Sequence, residues 1–468
     1  MDSNELAYLD LVEIAHRITS RDISSVEVTR LLLERISAHD KALGSYVAVL
    51  AESAQREAQA ADQAIAKGQA VGPLQGVPVA VKDLCDIAGT RTVAGMPRVR
   101  GNAADAAADA TVVARLRAAG AVMLGKLQLT EGAVAHHHPD ITPPRNPHNA
   151  DYWSGASSSG SGVAVAAGLS YAALGSDTGG SIRFPSFANG LTGVKGTWGR
   201  VSRAGVFPLS WSLDHVGPMA RSVRDCAAVL QVIAGPDPAD PTALDARVPD
   251  YLAELEHGIA GLRVGFDEAY ATTRVDADIV AAMRDALEIL RSAGADIVNI
   301  RMPDTEEVLQ AWFPLCTADA AAAHASTYPA QADAYGPGLS GLLDTGRETS
   351  GVDYANAHDL RQNFRGQYAA LFAGVDVILA PALMRQNLTL QDFARFGERE
   401  EDWPELLRFT APFDIAGSPT LSLPAGFNQD GAPFGFQLLG AHLGESALLR
   451  AGHAYQQATS WHRRNPTL

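Results

Sequence analysis

Short Val- and Ile-rich runs, each about the length of a single strand, recur along this chain between stretches with a helical period. The clearest unit is LRVGF, then DADIVAAMRDALEILRSAG, then ADIVNI, over residues 262–300. A strand that feeds a helix and then a second strand crosses over with the helix laid on the sheet, and repetition of that unit buries a sheet on both faces. The same alternation is read in VPVAVKD, in TVVARLRAAGAVMLGK with Gly120 at the turn, and in VAVAAG followed by YAALGSD. VDVILAP, PTLSLPAGF and PFGFQLLG add strands, and ESALLRAGHAYQQAT closes the chain with a helix. From Ala7 to about Ala66 the period is helical throughout, carried by Leu9, Ile14, Ile18, Val26, Val28, Leu31, Leu32 and Ile36, with Ser24 and Glu27 as a capping box. The expected fold is α/β: a single large domain over residues 1–468, with a mixed, mostly open β-sheet covered by helices on both faces.

At 468 residues and 47% hydrophobic content, the chain can bury a large core. The net charge is −16 and no dense Lys/Arg run occurs, which argues against nucleic acid or an anionic membrane as partner. Cys85, Cys226 and Cys316 are far apart, so neither a disulfide framework nor a structural zinc site is expected. The N-terminus carries acids and lacks an apolar core like that of a signal peptide, and stretches such as GVAVAAGLSYAALG are too short to span a bilayer. A cytoplasmic protein is the expectation.

Two Gly/Ser segments, GASSSGSG at 155–162 and GSDTGGSIRFP at 175–185, stand between strong core patterns, where a flexible linker has no place. Neither matches a phosphate-cradling loop. Glycines in Thr178-Gly179-Gly180-Ser181 allow successive N–H groups to turn to one side, as an oxyanion site requires, just ahead of a serine. A serine hydroxyl needs a base. His136, His137, His138 and His148 lie in a loop without triad spacing and without partners at metal-ligand spacing. Lys82, at the end of the apolar VPVAVKD strand, is the other candidate, provided burial lowers its pKa. On the local sequence alone, a lysine there is more often a surface residue or the ion-pair partner of Asp83 than a base.

Three segments together resemble the amidase signature family: GVPVAVKDL, GASSSGSGVAVAAG, and the long LGSDTGGSIRFPSFANGLTGVKGTWGRVSRAGVFPLSWSLDHVGPMARSV. PTLSLPAGF, PFGFQLLG and the closing helix are similar to that family's C-terminal pattern, so the resemblance covers nearly the whole chain. It implies a catalytic core over about 70–235 after an N-terminal helical region over about 5–66, and a variable substrate-pocket region over about 301–410. By the same resemblance Ser181 is the nucleophile, Ser157 a relay serine held by a cis peptide bond, and Lys82 the base. The N–H groups of Thr178, Gly179, Gly180 and Ser181 form the oxyanion hole, and Ser158, Asp177 and Arg183 support the site, the last two as a buried ion pair. Two departures stand out: Ala156 and Ser159 replace glycines usual in the family. The implied reaction is hydrolysis of an amide through an acyl-enzyme, with no metal and no cofactor, on a small-molecule amide, ester or carbamate.

Two other functions are weighed. One is the glutaminase subunit of a tRNA-dependent amidotransferase complex. Leu407 stands where such glutaminases generally carry an aspartate, and Phe184 where they often carry glutamine, so an apolar acyl or aryl substrate is favoured. The other is a non-catalytic binding protein on the same fold, against which the intact Lys82, Ser157 and Ser181 argue. The stretch 301–410 is the least regular part and holds Trp312, Phe313, Tyr328, Tyr335 and Trp403; with the 131–153 loop it is expected to wall the acyl site. The oligomeric state is left open, a homodimer being one option.

Overall fold

The computed structural model describes residues 2–69 and 72–468, so the expected start of the catalytic core at about residue 70 falls outside the described residues. One sheet of eleven strands runs through them: β1 (Tyr46–Val49), β2 (Pro78–Lys82), β3 (Val122–Leu127), β4 (Ala172–Asp177), β5 (Thr192–Lys195), β6 (His215–Ala220), β7 (Arg263–Phe266), β8 (Asp296–Asn299), β9 (Val377–Pro381), β10 (Thr420–Phe427) and β11 (Pro433–Gly440). The order across the sheet is β1-β3-β2-β4-β6-β5-β10-β11-β9-β7-β8. Two parallel blocks, β3-β2-β4 and β9-β7-β8, flank an antiparallel middle. The parallel pairs β2/β3 and β7/β8 are those whose connections carry a helix, Thr111–Ala118 and Ala277–Ser292. The hairpin β10/β11 needs only the residues 428–432, where the Asn428 side chain accepts from the N–H groups of Asp430 and Ala432.

Both faces of the sheet are buried. Along β9, Val377 and Leu379 join one apolar cluster while Ile378 and Ala380 join another, as the period of two requires. The first cluster takes the helices Val223–Ile233, Ala277–Ser292 and Glu445–Ala458, through residues such as Cys226, Met283 and Leu448. The second takes Thr305–Ala323, Gly351–Leu371 and Ala411–Ala416, through Trp312, Phe364 and Phe413. The chain is thus a mixed, open α/β sheet covered on both faces.

Three local readings change. The helical N-terminal stretch is interrupted by β1, which forms the sheet edge against β3. The Gly/Ser segment GSDTGGSIRFP, expected to be a loop beyond its strand, turns helical at Arg183 and continues to Ala188. Residues 301–410 are largely helical, chiefly Thr305–Ala323, Pro337–Glu348 and Gly351–Leu371. Pro314 inside the first of these, and buried apolar side chains on most of its circumference, blur the period that would have revealed it. The capping box is present as read: Ser24 accepts from Glu27 N–H and the Glu27 carboxylate accepts from Ser24 N–H.

Candidate active site

The site begins with strand register. β2 and β4 run parallel with Ala80 opposite Ala173 and Val81 opposite Leu174, which brings Lys82 and Ser176 to the C-terminal ends of adjacent strands. Open α/β sheets commonly place ligand sites at that end. Lys82 Nζ stands 2.7 Å from Ser157 Oγ and 2.9 Å from Ser176 Oγ. Every residue of β2 is buried, and Lys82 is only 1% exposed. Burial pushes its pKa down from the ordinary lysine value to about 7, against the pull of the Asp177 and Asp214 carboxylates. The neighbouring Asp83 is not its partner; it pairs with Lys126 at 2.7 Å.

Ser157 follows a cis peptide bond from Ala156, and the helix Ser159–Ala166 starts two residues later. Its carbonyl accepts from Thr130 N–H at 3.2 Å. Ser158 N–H donates to the Ser181 carbonyl at 3.4 Å, while Ser158 Oγ lies 3.3 Å from both the carbonyl oxygen and the amide nitrogen of Ser176. The two Gly/Ser segments are therefore bonded to one another around the end of β4.

Beyond β4 the chain turns through 178–181. Gly180 has φ +140°, and a Cβ there would lie 2.3 Å from the Phe184 ring. A Cβ on Gly179 would lie 2.9 Å from Trp312. Asp177 holds the turn from below, accepting from the N–H groups of Gly180 (2.7 Å) and Ile182 (2.9 Å). Arg183 grips the same carboxylate through Nε (3.1 Å) and Nη2 (2.8 Å), and reaches Asp414 and the Thr410 carbonyl. Burial opposes the charge on Asp177, but Arg183 beside it keeps its carboxyl well below the usual range. Thr178 Oγ1 donates to Asp214 at 2.6 Å, and Trp312 Nε1 donates to the Thr178 carbonyl at 2.8 Å. From Tyr152 through Thr197 every residue is buried except Ser181. The buried frame opens at that side chain alone.

It opens into a cleft walled by Ala133, Val134 and Ala135 on one side and Trp312, Trp403 and Leu407 on the other, with Phe184 and Leu209 completing it. The 131–153 loop and the 301–410 stretch both contribute. Phe313 does not line it but stands edge-on to Trp312, with ring centroids 5.4 Å apart. Tyr328 and Tyr335 stack edge to face on each other at 5.2 Å, away from the cleft lining.

The loop histidines are engaged elsewhere. His136 rests against Phe393, His137 Nε2 lies 3.0 Å from Ser159 Oγ, His138 Nδ1 accepts from Asp140 N–H, and His148 lies 3.2 Å from the Asn189 carbonyl. Burial holds His137 down at about 3. Among the described residues no group of three or more His, Cys, Asp or Glu side chains is placed to hold a metal ion, and no helix is long and apolar enough to cross a membrane. All three cysteines are buried and free.

Ser176, Asp214, Trp312 N–H and the buried Lys195–His215–Asp414 group beneath Arg183 were not singled out from sequence. Asp414, an acid within the apolar run APFDIAG, was the available signal for a buried cation nearby.

A model of the Amidase family matches residues 27–449. The putative amidase AmiD of Mycobacterium tuberculosis is 44% identical over all of this chain and 97% of its own length. One component of the glutamyl-tRNA(Gln) amidotransferase of Geobacter metallireducens is 37% identical over 98% of this chain and 99% of its own length. The solved structure of the native peptide amidase from Stenotrophomonas maltophilia superposes with a TM-score of 0.82 at 31% identity, over 98% of both chains.

Proposed function

This chain belongs to the Amidase family and is an amide hydrolase, and from that premise we propose that it cleaves its substrate through an acyl-enzyme on Ser181, with Lys82 as base and Ser157 as relay. Ser181 Oγ attacks the carbonyl carbon while its proton passes to Ser157 Oγ, whose own proton passes to Lys82 Nζ. The N–H groups of Thr178, Gly179 and Ser181 receive the negative charge that develops on the carbonyl oxygen, while the fourth expected donor, Gly180 N–H, is held by Asp177 and braces the turn. The tetrahedral adduct collapses as the proton returns through Ser157 to the leaving nitrogen and the C–N bond breaks. Water then repeats the sequence on the acyl-enzyme. No step uses a metal or an organic cofactor. Ser158 and the Asp177–Arg183 pair serve as the frame that fixes the two loops.

The observation that carries this reading is Lys82: buried, 2.7 Å from Ser157 Oγ, and with a pKa near 7, so that its neutral form is available at neutral pH. The cleft supports a small apolar or aryl acyl group, since none of its lining side chains is charged. Ester and carbamate cleavage follow from the same carbonyl attack. A glutaminase would need charged groups to hold the α-amino and α-carboxylate of glutamine, and Leu407 and Phe184 occupy the cleft instead. The deciding experiment compares kcat/KM of the purified chain on glutamine and on aryl and short-chain acyl amides. Preference for the apolar amides is expected; glutamine as the better substrate reverses the assignment.

A further inference from the structure

A second cavity, of about 550 Å³, shares no lining residue with the catalytic cleft. Its lining includes Trp198, Trp211, Tyr354, His358, Arg361 and Arg365. The last four come from one helix, Gly351–Leu371, at spacings of four, three and four, and so lie on one face. That helix turns Ala357, Arg361, Phe364 and Tyr368 inward. An arginine in an inward stripe calls for an acceptor. Arg361 is 6% exposed, and among the described residues only its Nε has a partner, the Ile415 carbonyl at 3.0 Å. Its two terminal nitrogens make no hydrogen bond or ion pair there, and neither does the Arg365 guanidinium. The one carboxylate in the lining, Asp319, is already committed to Ser210, Ser212 and Tyr354. Burial and the charge of Arg365 lower the Arg361 pKa to about 10, by more than the Asp319, Tyr354 and Asp414 groups raise it. In the same lining, Trp211 is 54% exposed, an unusual state for so large an apolar ring.

We propose that this cavity is a binding site for an aromatic carboxylate, whose carboxylate takes the free fork of Arg361 with Arg365 beside it and whose ring lies against Trp211 and Trp198. A guanidinium presents two parallel N–H groups that match a carboxylate, and indole faces stack on flat rings. The site is separate from Ser181, and only the sealing of the cleft in the test below rests on the chemistry assigned there.

The probe is benzoate, titrated by calorimetry into the full-length chain after Ser181 has been sealed with a sulfonyl fluoride, which removes binding in the catalytic cleft. Saturable one-site binding is expected, weaker by about tenfold or more for Arg361→Gln, and weakened also by Arg365→Gln and Trp211→Ala. The last two positions are exposed, so those variants test the site even if Arg361→Gln fails to fold. Benzamide, without the charge, and acetate, without the ring, are each expected to bind far more weakly. Equal affinity in wild type and in the Arg365 and Trp211 variants, binding only before Ser181 is sealed, tighter binding of phenyl phosphate than of benzoate, or no saturation at millimolar benzoate each overturn the proposal.

Discussion

Asp83 turns its carboxylate to Lys126, 2.7 Å away, and not to Lys82, the residue beside it in the chain. Both members of that pair are buried, and Asp83 also accepts from the N–H groups of Val93 and Ala94. The acid nearest to Lys82 in sequence is thereby neutralised elsewhere, and burial outweighs the pull of Asp177 and Asp214 that remains. A base must be neutral, so the acylation rate is expected to rise with pH through about 7 and level off above it. Lys82→Ala should remove that step and lower kcat by orders of magnitude, whereas His136→Ala should leave the step in place. A pH profile of pre-steady-state acylation reads both. A step that survives in Lys82→Ala assigns it to another group.

Ser181→Ala is expected to lower kcat by roughly 10⁴-fold or more with the fold intact, since Ser181 is the one partly exposed residue of its segment. Mass spectrometry after a fluorophosphonate should find one adduct, on Ser181. An adduct on Ser157 or Ser158 instead would reassign the nucleophile.

Much of this site was legible because its parts are local. The strand VPVAVK is a short apolar run between Gly and Asp, and the glycines before Ser181 declare a tight turn. What was hidden depends on register. Ser176 meets Lys82 because β2 and β4 pair in parallel, and His215 lies under Asp177 because β6 slots in between β4 and β5. No local period encodes those neighbours. The helices of 301–410 were obscured for a different reason: a proline inside one, and Arg361 interrupting the inward stripe of another, break the simple apolar pattern. β1 escaped because four residues alternating half-buried with exposed carry too little signal between two long helices.

Trp312 and Phe313 are adjacent in sequence and differ in consequence. Trp312 Nε1 holds the Thr178 carbonyl at 2.8 Å, and its ring presses on Gly179, so it positions the turn as well as walling the cleft. Trp312→Phe keeps most of the wall and loses the N–H, and is expected to lower kcat across all substrates by about tenfold. Leu407→Ala only widens the cleft, and should shift preference toward bulkier acyl groups by about tenfold or more, with little change in kcat for the best of them. Phe313→Ala should leave the preference as it is. Steady-state constants over a series of acyl chain lengths distinguish the three. A change in selectivity from Phe313→Ala equal to that from Leu407→Ala would contradict the placement of the wall.

The pKa of Lys82 can also be read without any substrate. In the native state the lysine loses its proton near pH 7, and in the unfolded chain near ~10.4. Between those values the unfolded state holds one more proton than the native state, so stability rises with pH. The slope is about 1.4 kcal/mol per pH unit for one proton. Below about 7 the lysine is charged in both states and contributes no slope. Lys82→Met lacks the group, and taking the difference between the two proteins cancels titrations they share, including that of Lys195. Urea unfolding of both is therefore expected to give a stability difference that is flat from about pH 6 to about 7 and then moves in favour of the wild type by about 1.4 kcal/mol per unit up to about pH 9. The absolute sign at pH 7 is set by opposing effects: the methionine relieves the cost of burying an amine but leaves Ser157 and Ser176 without their partner. The slope is free of that competition. Parallel curves over the whole range would mean that Lys82 titrates as it does in water, and a lysine of ordinary pKa is protonated at neutral pH and cannot take the proton of Ser157.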